Sequence, residues 1–405
     1  MAIAILNRLP INIVNFKEWL EECEETFYIL LPENKKSEFQ KEGYTNIVAL
    51  NNYYNDSEMM ISLKKIHKTD SVNLIIAIDE VDIERAAMFR EYFGITDGQK
   101  LFSATSFRNK FWMKEVIKSS NIPVPAYEKI QTIDQAKKFA KQYSYPVVVK
   151  PNNGMGSIGV QKVNSDEELE GIDLNKVELI EQFIEIENMY SVDGLVIDGS
   201  IFFESVSRYN QSTINYMSGD NISVIEIVEP KESIHKRLLN FNKKVLSALP
   251  KPNNAFSFHT EIFHSKDNEL VFCETASRAG GARIVESIYQ SYGIHLEENT
   301  VKLQAGIWKK SSISIRNEPK ILTAVILLPK RMGEVRKIPD EIPFKWVTEY
   351  QPRVKKGDIL SSIGHSSDTI ASLIVTGTTR KELWNNIEYV NNYLTKEIEI
   401  VEVNK

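Results

Sequence analysis

Short apolar runs alternate with helical patterns over the first hundred residues, and this alternation limits the possible folds more than any other feature of the chain. Strand candidates at 2–6, 26–31, 46–50 and 74–78 are separated by helical patterns at 15–23, 35–43 and 57–67, with another at 83–93. Such alternation builds βαβ units, whose crossovers make the sheet parallel. At 405 residues the chain exceeds one ordinary core and calls for two or three domains. Pattern changes near 100 and 312 divide it into a parallel α/β unit (1–100), a central unit (101–312) and a β-rich C-terminal α+β unit (313–405).

Charge and cysteine usage exclude several classes. The net charge is −6, and neither the lysines nor the six histidines form a basic stripe, so no nucleic-acid partner is expected. Cys23 and Cys273 are the two cysteines and lack Cys-x-x-Cys spacing, which argues against a disulfide framework or structural zinc and fits a cytoplasmic location. The apolar start at 2–6 reads as a strand rather than a signal peptide. No run approaches the ~18 apolar residues of a membrane span, so no membrane partner is expected.

The central unit carries the chemistry. Pro146-Val-Val-Val-Lys150 reads as a buried strand, followed by Pro151-Asn-Asn-Gly-Met-Gly-Ser-Ile-Gly159 and a second strand at 159–163. Gly154-Met155-Gly156-Ser157-Ile158-Gly159 matches G-x-G-x-x-G, but a dinucleotide site needs a helix after the last glycine, and a P-loop needs Gly-Lys-Ser/Thr. What remains is a strand–loop–strand flap whose backbone N–H groups can cover phosphates, with Lys150 to neutralise them. An ordinary glycine-rich hairpin is the other reading.

Two glutamates sharpen the choice. Runs at 256–264 and 269–274 flank a turn-like Ser265-Lys-Asp-Asn-Glu269. A two-residue turn at Asp267-Asn268 would set Glu261 opposite Glu274, on a face shared with Phe263 and Phe272. Like charges directly opposed are destabilising, and a hard divalent cation such as Mg²⁺ removes the repulsion. Otherwise they are incidental acids on a solvated strand. Arg278 follows, able to hold a phosphate bidentately or simply to pair with Glu274, and Gly280 and Gly281 would let backbone N–H groups approach an oxyanion.

Together these residues resemble the ATP-grasp superfamily of carboxylate–amine ligases, in the branch that contains bacterial L-amino-acid (dipeptide) ligases. The anchors are Asn109-Lys110, Ile122-Pro-Val-Pro125, Val148-Val-Lys150-Pro151 with its glycine loop, Glu181-Gln-Phe-Ile184, Tyr190-Ser-Val-Asp-Gly194, His259-Thr-Glu261 and Glu274-Thr-Ala-Ser-Arg278. The resemblance implies a Rossmann-like N-terminal domain, a central ATP-grasp domain whose glycine-rich flap subdomain covers about 122–185, and a β-rich C-terminal domain. It implies ATP and Mg²⁺, or Mn²⁺ in its place. Lys110 and Lys150 would contact ATP phosphates, and Gly154, Met155, Gly156, Ser157 and Gly159 would close over them. Glu181, Gln182, Phe183 and Ile184 would form the adenine hinge, Glu187 would hold the ribose, Glu261 and Glu274 would ligate the metal, and Arg278 would stabilise an acyl phosphate. In one departure from the family pattern, Ala276 stands where asparagine is a third metal ligand.

The function so implied is ATP-dependent amide formation between a carboxylate and an amine, with an amino acid as a substrate and a homodimer as a common assembly. Acyl transfer to a carrier-protein thiol and a non-catalytic ATP-binding module are the alternatives. Lesser candidates are Asp79 or Glu80 for a substrate amine, Arg208 for a substrate carboxylate, and His259 or His365 in the site wall.

Overall fold

The computed structural model describes residues 2–216, 221–366 and 368–402. Strands β1 (Ala2–Leu6), β2 (Thr26–Pro32), β3 (Ile47–Leu50) and β4 (Val72–Ala77) form a parallel sheet of order β3-β2-β1-β4. The intervening helices are α1 (Phe16–Trp19), α2 (Lys36–Lys41), α3 (Asp56–Thr69) and α4 (Ile83–Tyr92), as the alternation predicts. Only four residues of the expected helix at 15–23 are helical. Ile3, Ile5, Ile29 and Leu31 pack one face of this sheet, and Ala4, Leu6, Leu30 and Ile75 pack the other.

The stretch 101–119 is split into two helices. Helix α5 (Leu101–Arg108) stops at Asn109, whose extended backbone and side chain cap α6 (Lys110–Ser119) by accepting from the Trp112 N–H. An asparagine at an N-cap satisfies a donor that the helix interior cannot. It also sets Lys110 at the first helical position, where the Lys110 N–H donates to the Asn152 carbonyl.

The flap follows. Strands β5 (Tyr127–Lys129), β6 (Val147–Lys150), β7 (Gln161–Val163) and β8 (Leu179–Gln182) form an antiparallel sheet of order β5-β8-β6-β7, with α7 (Ile133–Tyr143) and α8 (Asp166–Glu170) between them. The Thr132 capping box opens α7, where its side chain accepts from Gln135.

The largest sheet has eight strands in the order β13-β12-β9-β10-β11-β14-β18-β16. They are β9 (Ile186–Ile197), β10 (Ser200–Tyr209), β11 (Ser223–Ile227), β12 (Phe256–Ser265), β13 (Leu270–Ala276), β14 (Leu322–Pro329), β16 (Val347–Pro352) and β18 (Thr369–Gly377). β15 (Gly333–Lys337), β17 (Ile359–Leu360) and β19 (Glu399–Val401) form a small sheet beside them. The remaining helices are α9 (Thr213–Tyr216), α10 (Ser233–Ala248), α11 (Ile284–Tyr292), α12 (Leu296–Gln304) and α13 (Arg380–Glu397). β9 and β10 form the hairpin that Asp198-Gly199 predicts, with Ile197 paired to Ser200. The boundary expected near 312 falls inside this one sheet, since β14 pairs with β11.

A buried carboxylate ties the C-terminal helix to the sheet. Glu226 is 1 % exposed and accepts from Arg208 at 2.9 Å, Arg380 at 2.8 Å and the Trp384 indole at 2.8 Å. Arg208 also pairs with Glu232 and donates to the Tyr190 hydroxyl, so its guanidinium is engaged in structure rather than held for a substrate carboxylate. Removing a buried charge strands its partners at a cost of about 3 kcal/mol or more. Glu226→Ala should therefore lower unfolding free energy by roughly that much in urea. Arg380→Ala, whose side chain is 46 % exposed, should cost under about 1.5 kcal/mol because Arg208 still pairs the acid.

Candidate active site

Two irregularities bring the glutamates face to face. The loop between β12 and β13 does not turn at Asp267-Asn268. Instead the Ser265 N–H donates to the Glu269 carbonyl, which shifts the ladder so that Ile262 faces Phe272 and Phe263 faces Val271. A bulge at Cys273 then restores the offset, and Glu261 faces Glu274 as expected. Phe272 is thereby turned into the core with Ile262, and does not share the glutamates' face as expected. Cys273 joins Phe263 and the two glutamates on the cavity wall instead.

This cavity, about 310 Å³, lies between the flap sheet and the large sheet. Phe183, Ile184, Ile186, Met189 and Phe263 line it, as do Lys110, Lys150, Glu261 and Glu274. Gly154, Met155, Gly156 and Ser157 contribute to its wall. Gly159 does not; it has φ +74°, and a Cβ there would lie 2.9 Å from Pro151, so its role is to fold the loop back on that proline. Glu181 and Gln182 reach the cavity beside Phe183, but Glu187 does not and stands exposed. Glu185 lines the wall as well.

The charges are paired inside the protein. Lys110 Nζ lies 3.1 Å from Glu274 and donates to the Gly154 carbonyl at 2.8 Å. Burial alone would raise the Glu274 pKa, but Lys110 and then Lys150 outweigh it and hold the carboxyl well below its usual range. Lys150 pairs with Glu181 at 2.8 Å, and the buried Lys114, which sequence reasoning missed, pairs with the same carboxylate at 3.3 Å. Burial works against the Glu181 charge as well, and the two lysines overcome it. Lys114 also donates to the Cys273 carbonyl, so it joins α6 to the hinge and to the bulge. Its place on the buried stripe of α6, four residues after Lys110, is the one signal that could have exposed it.

Glu261 is held differently. Its close cation among the described residues is His259, with Nε2 at 3.5 Å. The Cys273 thiol points at its other oxygen at 3.8 Å, and burial followed by the Glu261 charge raises the thiol pKa well above normal, keeping it a donor. Burial disfavours the imidazolium, but Asp193 and then Glu261 prevail and lift the His259 pKa to about 10.

Arg278, Gly280 and Gly281 stand outside the cavity wall. Arg278 does not pair with Glu274; its Nε donates to Glu80 at 2.5 Å. Glu80 also pairs with Arg108, while Asp79 accepts from Arg8 at 2.8 Å, so both candidate amine-binding acids already hold cations. The flap tip is attached on both sides. Arg8 reaches Met155 Sδ at 3.9 Å, and the Ser366 N–H donates to the Gly156 carbonyl at 2.9 Å. His365 adjoins that contact and is absent from the cavity wall.

The chain is similar to known ligases in sequence and in fold. The ATP-grasp domain family matches residues 107–211, which span Lys110, the flap and the hinge. Over that span the chain resembles ATP-grasp proteins. It is 24 % identical to the L-arginine-specific L-amino acid ligase of Bacillus subtilis over 329 residues, 78 % of this chain and 77 % of that one. A D-alanine–D-alanine ligase of Campylobacter concisus is 26 % identical over 239 residues, 55 % of this chain and 67 % of the other. In fold it resembles the crystal structure of an L-amino acid ligase from Bacillus licheniformis, with a TM-score of 0.78 at 18 % identity, covering 100 % of this chain and 99 % of that one. Among the described residues no helix is long and apolar enough to cross a membrane.

A charged hydrogen bond to phosphate is worth about 1.5–3 kcal/mol. Lys150→Met should therefore weaken ATP binding by roughly tenfold to a hundredfold in a calorimetric titration. Glu187→Gln should leave ATP affinity within about twofold, as its position outside the wall requires.

Proposed function

We propose that this ATP-grasp enzyme joins an amino-acid carboxylate to an amine, with cleavage of ATP to ADP and phosphate. The observation that carries the reading is the Glu261–Glu274 pair, opposed in register on the wall of a cavity that also has apolar and cationic walls. Apolar side chains suit a purine ring, and lysines suit phosphates. Two hard carboxylates suit Mg²⁺, which keeps its remaining positions for water and phosphate oxygens. The described residues contain no group of three or more His, Cys, Asp or Glu that could hold a metal unaided.

When bound, Mg²⁺-ATP would supply a phosphoryl group that activates the substrate carboxylate as an acyl phosphate, with ADP as the leaving group. Lys110 and Lys150 would neutralise the phosphate oxygens and so favour in-line attack by the carboxylate. Glu80 holds the Nε of Arg278 and the Ala279 carbonyl accepts from its Nη1, so that Nη2 would meet charge on the activated carbonyl. Attack by the amine at that carbonyl carbon forms the C–N bond, expels phosphate and releases a proton. The flap, attached at Met155, Gly156 and Gly154, would exclude water that would otherwise hydrolyse the activated acid. The amino-acid class of substrate is supported by the two ligase relatives.

Incubating the protein with ATP, Mg²⁺ and a pooled amino-acid panel should yield ADP, phosphate and a condensed mass 18 Da below the sum of two substrates (the mass of water, about 18). Glu274→Ala should reduce turnover by about a thousandfold, the scale of losing one transition-state electrostatic contact. AMP and pyrophosphate as products would overturn the mechanism.

A further inference from the structure

Ala276 follows Glu274 on β13 and offers no polar side chain, and the side chain directly across the ladder from it is His259. His259 is 8 % exposed and shares the face of Glu261. Its Nδ1 lies 2.7 Å from Asp193 Oδ1, and its Nε2 faces Glu261 Oε1 at 3.5 Å. Asp193 is fully buried, and its second oxygen accepts from Ser191 at 2.7 Å. The imidazole is thus fixed from behind by a satisfied buried carboxylate, and only its Nε2 edge is turned toward the glutamate. Gly280 presses on the same pair: a Cβ there would stand 2.5 Å from Asp193 Oδ1 and 2.9 Å from His259 Nδ1.

We propose that His259, oriented by Asp193, is a positioning residue that holds the Glu261 carboxylate for the divalent cation, a role the alanine at 276 cannot share. This rests on the reading of Glu261 and Glu274 as the metal carboxylates. Partners that orient a ligand are typically worth about ten- to a hundredfold in metal affinity. Glu274 already has Lys110 at 3.1 Å, so the effect of His259 falls on Glu261.

The test uses Mn²⁺ as the probe, with free ion read by electron paramagnetic resonance on the full chain in the presence of a non-hydrolysable ATP analogue. His259→Asn keeps an amide at the Nδ1 position for Asp193 and removes the edge facing Glu261. His259→Gln places an amide near the Nε2 position. His259→Asn should weaken Mn²⁺ binding about tenfold or more and His259→Gln less, with metal-free nucleotide affinity unchanged. Mn²⁺ affinity within twofold of wild type in His259→Asn, or a parallel loss of metal-free nucleotide binding, overturns the proposal. If His259→Asn does not fold, the isosteric Asp193→Asn is judged by the same two readouts. Failure of the wild type itself to bind Mn²⁺ with the analogue would remove the metal reading and this role with it, whereas Mn²⁺ binding without amino-acid turnover would remove only the ligase chemistry.

Discussion

Two like charges, Glu261 and Glu274, are set opposite each other on a partly buried wall. Directly opposed Cβ atoms lie about 5 Å apart, and two unit charges at that separation repel by roughly 3 kcal/mol at an effective dielectric of 20. Glu261 and Glu274 therefore need cations wherever they can be found. Lys110 comes to Glu274 from the start of α6, and His259 comes to Glu261 from two residues back on the same strand. Neither removes the repulsion as a divalent ion between the carboxylates would. The charge of the pair is tolerated rather than cancelled.

Surplus positive charge is arranged in the complementary way. Lys114 and Lys150 share a single carboxylate, Glu181, so the buried triad carries one cation more than it can neutralise. Of the two lysines, Lys150 reaches the cavity and Lys114 remains behind it. An anionic phosphate beside Lys150 would complete the balance. Glu80 performs the opposite service for Arg108 and Arg278: burial disfavours its charge, but the two guanidinium groups outweigh that cost and keep it ionised. Through Glu80 the end of the first parallel sheet fixes the arginine that follows β13, and through Arg8 the same domain touches the flap. The N-terminal domain is therefore part of the site's framework.

Much of this was legible because it depends on local pattern. The βαβ alternation, the Asp198-Gly199 hairpin and the Thr132 cap each follow from the conformational needs of a few neighbouring residues. The strand–glycine loop–strand reading of 146–163 held for the same reason. Long-range charge pairing was not legible. Nothing near Glu80 in sequence indicates that Arg108 and Arg278 will meet on it, and Arg208 looked available for substrate until Glu226 and Glu232 were seen to occupy it. Glu187, which the family resemblance implies for the ribose, stands exposed near the start of β9 and outside the cavity wall.

The glutamate pairing shows how a correct expectation can rest on an incomplete picture. A two-residue turn would give the same Glu261–Glu274 contact as the observed loop and bulge, since one shift cancels the other at that rung. Side chains alternate faces along a strand, so removing either irregularity alone would slip the register by one and turn one glutamate away from its partner. The bulge does what a regular hairpin cannot: it places Cys273 and Glu274, neighbours in sequence, on the same cavity wall. It also leaves the Cys273 carbonyl for Lys114, so the residue that breaks the ladder is itself held by the lysine that organises the hinge. Glu261, Glu274, Glu181 and Lys150 are thus coupled through one unpaired strand residue, and the geometry of the cavity depends on that bulge as much as on the acids it presents.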